Sequence, residues 1–207
     1  TPGEAEATRF AGDLNALGIP TAVFPARDYV LRPIEGTARE YEYRRLSVLG
    51  DIVGGRLQAV CVPDEGLTQY TTPRAEFCNN TRTLHPGDTV PRTELTALLY
   101  NAGYARRAQV DGPGQFSIRG DIVDLYAPDM KLPVRMEFWG DEIDTMHTFD
   151  LATQRREDPI EKIYVSPARE VLFGSPAEAA ELLRAFIKKF RGKKRTALEA
   201  CLATELA

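Results

Sequence analysis

Two histidines, three cysteines and one tryptophan among 207 residues leave little material for metal or nucleophilic chemistry. Neither His85 nor His147 has a cysteine or carboxylate at metal-ligand spacing. Cys61, Cys78 and Cys201 are odd in number and widely spaced. They fit free thiols in a reducing cytoplasm far better than a disulfide framework or a zinc site. No Gly-x-x-x-x-Gly-Lys-Ser/Thr loop is present, so nothing cradles a triphosphate. No apolar run approaches the roughly 20 residues of a membrane-spanning helix. The opening Thr1-Pro2-Gly3-Glu4 carries neither a basic leader nor an apolar signal core. The expectation is therefore a cytoplasmic protein without a membrane partner, in which Asn79-Asn80-Thr81 matches a glycosylation acceptor by coincidence. Positive charge is also short. Twenty-six basic against 30 acidic residues give a net charge of -4. This argues against a dedicated nucleic-acid binder while leaving local basic patches open.

What is present suits an ordinary soluble chain, with 43% hydrophobic and 27% charged residues. It is long enough for one large domain or two small ones. Thr1-Pro2-Gly3-Glu4, Thr37-Ala38-Arg39-Glu40 and Ser175-Pro176-Ala177-Glu178 each fit a capping box that opens a helix. In the first and third, proline occupies the first helical position. The first helix is expected to bury Ala7, Phe10, Ala11, Leu14 and Leu17, and to stop at Gly18. Thr21–Phe24 and Ala59–Val62 are short apolar runs flanking the second helix, an order that reads as a βαβ unit with parallel strands.

From about Leu84 the character changes. A helix over 91–102, stopped by Gly103, presents Leu95, Leu98 and Leu99. Strand-like runs follow at 105–110, 115–119, 122–126, 134–139 and 143–149, with Gly140-Asp141 as a tight turn. This predicts an antiparallel α+β domain with one apolar face against the helix and the other wet. The tail from Ser175 reads as a helix with Leu182, Phe186 and Phe190 in line, broken at Gly192, and without a clear closing element. Both ends read as cuts from a longer chain.

The most informative stretch pairs Phe116-Ser117-Ile118-Arg119-Gly120-Asp121-Ile122-Val123-Asp124 with Pro133 to Asp144. Alternation in a strand puts Val134, Met136 and Phe138 on one face and Arg135, Glu137 and Trp139 on the other. The second set leaves a tryptophan beside an arginine and a glutamate, residue types suited to a protein partner. The bland alternative covers Trp139 with a loop and pairs Arg135 to Glu137, worth about 0–1 kcal/mol. Asp121, Asp124, Asp141, Glu142 and Asp144 fit strand ends and turns rather than catalysis. The cluster Lys188-Lys189, Arg191 and Lys193-Lys194-Arg195 reads as a solvated helix end. Contact with a phosphate backbone is the alternative.

These segments resemble a module shared by the excision-repair helicase UvrB and the transcription-repair coupling factors. The continuation Phe149-Asp150, Thr153-Gln154-Arg155 and Pro167-Ala168-Arg169-Glu170 is similar to the coupling factors, as is the stretch from Gly87 to Gly103-Tyr104. UvrB would also carry a long aromatic hairpin, and 62–77 lacks the length and tyrosines for one. The resemblance implies a mixed α/β and α+β fold in three parts. Residues 1–81 would form a partial, degenerate helicase-like α/β subdomain. Residues 82–167 would form a small antiparallel α+β domain resembling UvrB domain 2, which binds UvrA. Residues 168–207 would begin the returning subdomain. It further implies a non-catalytic piece without cofactor, since ATP and magnesium serve a motor elsewhere in such proteins. The family's partners are UvrA, RNA polymerase and double-stranded DNA. The positions matching the UvrA contacts are Arg119, Arg135 and Trp139, with Glu137 matching the UvrB pattern. The family usually has phenylalanine where Trp139 stands, and the neighbouring Phe138 is a second candidate.

Overall fold

A computed structural model describes residues 1–27, 39–172 and 176–205. The capping residues Thr37 and Ser175 fall outside the described residues. The chain divides into two compact units, Thr1–Val171 and Leu172–Ala207.

Unit one opens with α1 (Glu4–Ala16), β1 (Thr21–Val23), α2 (Glu40–Val53) and β2 (Ala59–Cys61). β1 and β2 pair in parallel, Thr21 beside Ala59 and Val23 beside Cys61, as the βαβ pattern requires. Asn15 ties the helix to the strand. Its Nδ2 donates to Thr21 O at 2.9 Å and its Oδ1 accepts from Thr21 N at 3.0 Å. Two expectations for α1 fail. The helix starts at Glu4 behind Gly3 with no side-chain cap, because the Thr1 hydroxyl instead bonds Val62 O and Gly3 O. Ala7, Ala11 and Leu14 pack inward around Cys61 and Val23, whereas Phe10 and Leu17 are 53% and 77% exposed. At 3.6 residues per turn those two lie roughly 60–80° round from Ala7, and a two-stranded sheet is too narrow to cover them.

Two short helices follow, α3 (Asp64–Thr68) and α4 (Arg74–Asn79), where UvrB would place its hairpin. Then come β3 (Arg82–Leu84), α5 (Arg92–Asn101), β4 (Ala105–Arg106), β5 (Gln115–Arg119), β6 (Ile122–Tyr126), β7 (Val134–Trp139), β8 (Glu142–Phe149), β9 (Arg156–Pro159) and β10 (Ile163–Val165). β4 to β9 form one sheet in sequence order, while β3 and β10 pair separately. All neighbours in the large sheet run antiparallel except β4 and β5, which are parallel. The chain over 107–114 carries β4's successor back to the starting end instead of reversing it. β4 is also far shorter than the expected run to Val110. β3, β9 and β10 were not expected: Arg156–Pro159 contains no aliphatic residue, and β3 and β10 are only three residues each, too short to show a period.

The expected inner face is the core. Leu95 and Leu99 of α5 pack on Phe116, Val123, Leu125, Val134, Met136, Phe138, Ile143 and Met146. Each large side chain buried this way stabilises the fold by roughly 1.5–3 kcal/mol relative to exposure. Beside this core, Tyr104 donates to Ser166 O at 2.7 Å and Ser166 Oγ to Asp129 Oδ1 at 2.8 Å. Burial raises the Asp129 carboxyl above its ordinary value despite the Ser166 bond. Ionisation therefore costs stability in the folded chain, and that cost is absent below the unfolded value near pH 4. It sets in as pH rises from there through the raised folded value. Asp129→Asn is accordingly expected to raise the melting midpoint at neutral pH, with the gain fading towards pH 3. A calorimetric pH series would decide; a gain independent of pH would contradict the assignment.

Unit two pairs α6 (Pro176–Ile187) with α7 (Gly192–Glu205). The helix does break before Gly192, but a second helix that the sequence reading missed follows it. Ala180 and Ile187 face inward, while Leu182 and Phe186 are about half exposed. Phe186 and Phe190 meet edge to face at 5.2 Å. The basic run is partly engaged locally: Lys194 lies over Phe190, and Arg195 pairs with Glu199 at 2.8 Å.

Candidate partner-binding surface

The outer face of the large sheet carries the predicted residues on β5 and β7, which flank β6. Register places Ser117, Asp124, Arg135 and His147 in one row across β5 to β8, and Ile122, Glu137 and Thr145 in the next. An irregularity in the β7–β8 ladder at Glu137/Phe138 makes Asp144 the extra residue. Trp139 then falls opposite Glu142 at the strand end. It is 84% exposed, so no loop covers it. Phe138 is buried in the core, and parity correctly sends it inward.

Arg135 does not pair with Glu137. Its partner is Asp124, in the middle of β6 and fully buried, not in a turn as expected. Arg135 Nε and Nη2 donate to the two Asp124 oxygens at 2.7 and 2.9 Å. Gln154 accepts from Nη1 through its carbonyl at 3.2 Å and from Nη2 through Oε1 at 3.3 Å. The guanidinium stacks on the Phe149 ring at 4.6 Å. A guanidinium has five N–H groups, so these bonds leave Arg135 one. Its side chain is only 12% exposed, and bonding to Asp124 raises its already high pKa further.

Arg119 is different. It reaches Asp124 Oδ2 through one bond at 2.7 Å and its side chain stays 48% exposed. Glu137 is engaged by Arg156 of β9. At the same sheet end, Arg92 holds the turn between β5 and β6 by bonding Gly120 O at 3.0 Å and pairing with Asp121.

The Gln154 carbonyl is aimed by backbone conformation. Gln154 has φ +59, the one non-glycine residue with positive φ among the described residues, a state costing roughly 1–2 kcal/mol. The turn is closed by Gln154 N to Asp150 O at 2.8 Å. The Thr153 N–H and hydroxyl also bond Asp150 Oδ1 and lower its pKa. Asp124, Gln154, Phe149 and Arg156 were missed as site residues. A carboxylate alternating with nothing polar, between Val123 and Leu125, was the available signal for Asp124. Among the described residues no group of three or more His, Cys, Asp or Glu is placed to hold a metal ion. No helix among them is long and apolar enough to cross a membrane.

This arrangement, a sheet packed on one helix with cations and an aromatic on its open face, coincides with a known domain: residues 83–171 match the family model of the UvrB interaction domain. The likeness extends beyond it. The transcription-repair-coupling factor of Bacillus subtilis is 26% identical over 198 residues, covering 92% of this chain and 17% of that protein. That of Staphylococcus aureus strain MRSA252 is 30% identical over 149 residues, covering 72% of this chain and 13% of that protein. The chain belongs to the transcription-repair coupling factor family and corresponds to part of its N-terminal UvrB-like region. It spans less than a fifth of the length of these relatives.

Proposed function

We propose that this chain is a recruiting module that binds UvrA through the open face of the β5–β8 sheet, without catalysis of its own. The observation that carries this reading is Trp139, a large aromatic left exposed beside a rigid arginine–carboxylate cluster. Arg119 and Trp139 serve as the contacts. Arg135 acts chiefly as a positioning residue, clamped by Asp124 and Gln154, and Glu137 sets the position of Arg156. Charge steers the encounter and the desolvated aromatic holds the complex. Any motor, and contacts with RNA polymerase, would reside in the larger part of such proteins outside this match. Within this frame, residues 82–167 form the binding domain and residues 168–207 begin the returning subdomain.

Calorimetry with purified UvrA tests the assignment. Trp139→Ala is expected to weaken binding by at least about 2 kcal/mol, with stability unchanged to within about 0.5 kcal/mol because the side chain touches little. Arg119→Ala should weaken binding, mainly through a slower association that loses its salt dependence. A folded chain that does not bind UvrA, or binds equally well without Trp139, would sink the proposal.

A further inference from the structure

Away from that face, α2 and the segment after α5 enclose an open groove of about 750 Å³. Arg39, Arg44, Arg107 and Arg169 line it against a single carboxylate, Glu40. In a chain of net charge -4 this local excess is not an average property of the surface.

The cations are held rather than scattered. The aliphatic part of Arg169 lies on Gly103, whose φ of +85 and lack of a Cβ permit the approach; an added methyl would collide with Arg169 Cγ. Arg169 Nε reaches Gly103 O at 3.4 Å. Its nearest carboxylate, Glu42, stands 3.8 Å away. Burial, and then the Arg39 charge, push the Arg169 guanidinium below its ordinary pKa, so its cation is incompletely compensated. Arg44 shares Glu4 at 3.4 Å on the exposed surface. Arg39 and Arg107 make no ion pair among the described residues.

Neutral donors complete the lining. Tyr43 packs its hydroxyl end against Gly114, where a Cβ would meet it, and Ser47 stands one turn further along α2. Gln115 accepts from Asp111 N through Oε1 at 3.1 Å, which leaves its amide N–H groups to donate. Arginine, serine, tyrosine and glutamine are the side chains that hold phosphate oxygens. Ala105, Pro113, Pro128 and the ring of Tyr43 supply the apolar part of the lining. Like charges gathered around a half-buried arginine destabilise the empty site and are relieved by an oxyanion.

We propose that this groove is a phosphate-binding site, occupied by the phosphodiester backbone of a nucleic acid or by a free phosphate ester. It is independent of the sheet face assigned to UvrA.

Fluorescence anisotropy with a labelled short DNA duplex at low salt, calorimetry with pyrophosphate, and competition by poly-glutamate test it on the 207-residue chain. Duplex binding is expected to weaken linearly with log salt. Arg44→Ala/Arg107→Ala should lower affinity at least about tenfold and reduce the salt slope by about 2, since each phosphate contact contributes about 0.9. Arg9→Ala, on exposed α1, should change nothing. Arg107→Ala alone, which breaks no ion pair among the described residues, provides a second variant that keeps the fold. Pyrophosphate binding without duplex binding identifies the free ester as the source; duplex binding without pyrophosphate identifies the backbone. The proposal is overturned if neither binds, if the variants bind like the wild type, or if poly-glutamate binds more tightly than both phosphate ligands.

Discussion

Glu170→Ala is expected to destabilise unit one by about 3–5 kcal/mol, the cost of leaving a buried charge without its partner. Arg45 and Glu170 are both essentially unexposed, at 0% and 1%. Arg45 Nε lies 2.9 and 3.0 Å from the two Glu170 oxygens, its Nη1 donates to Pro25 O at 2.7 Å, and its guanidinium stacks on Phe24 at 4.1 Å. Arg27 and Thr71 add to the carboxylate, and the Glu170 N–H reaches Glu42 Oε1 at 3.1 Å. One side chain thus joins α2, the segment after β1 and the strap after β10. Removing it strands Arg45 in a site water does not reach. For a domain of this size the melting midpoint should fall by roughly 2–4 °C per kcal/mol. Arg45→Met/Glu170→Leu should recover much of the loss, because apolar residues of similar volume carry no desolvation cost. A shift below about 1 kcal/mol for Glu170→Ala would show that the pair is hydrated and not a lock.

Asp124→Ala should cost about 3 kcal/mol, the low end for breaking a buried pair because half-exposed Arg119 can turn to water. Arg135 cannot do so without leaving Phe149 and the Gln154 carbonyl. The same variant should weaken UvrA binding, since the cation geometry beside Trp139 is lost. The two effects separate by comparison with Trp139→Ala, which is expected to alter binding alone. Urea unfolding measures the first and calorimetry the second. An Asp124→Ala chain of unchanged stability would mean that Arg135 is held by the 150–155 turn and not by the carboxylate.

Much of this was legible before any coordinates. The βαβ order, the leucines of α5, the hairpin at Gly140-Asp141 and the alternation of β7 follow from local periodicity, which depends only on where successive side chains point. The exposure of Trp139 follows from the same alternation. Glu170 was legible as part of the Pro167–Glu170 motif, but its role was not. Its partners lie more than 90 residues away, and no local rule reports such a distance. The β3–β10 pair was missed for a related reason, since its strands are joined only by pairing across the domain; the second helix of unit two was missed although its Ala, Leu, Glu and Lys residues favour a helix.

The sequence by itself therefore determined which residues alternate inward and outward along each strand, and so which aromatic and cations reach the open face. Only the tertiary structure decided who pairs with whom. Cross-strand register set Asp124, not Glu137, beside Arg135. The extra residue Asp144 in β8 set Trp139 opposite Glu142, and the narrow two-stranded sheet left Phe10 and Leu17 outside. The packing of α2 gathered four arginines that lie as far apart as 39 and 169 in the chain. Side-chain direction is a property of one strand or helix, whereas electrostatic partnership depends on the approach of segments that chain connectivity leaves free until the core forms.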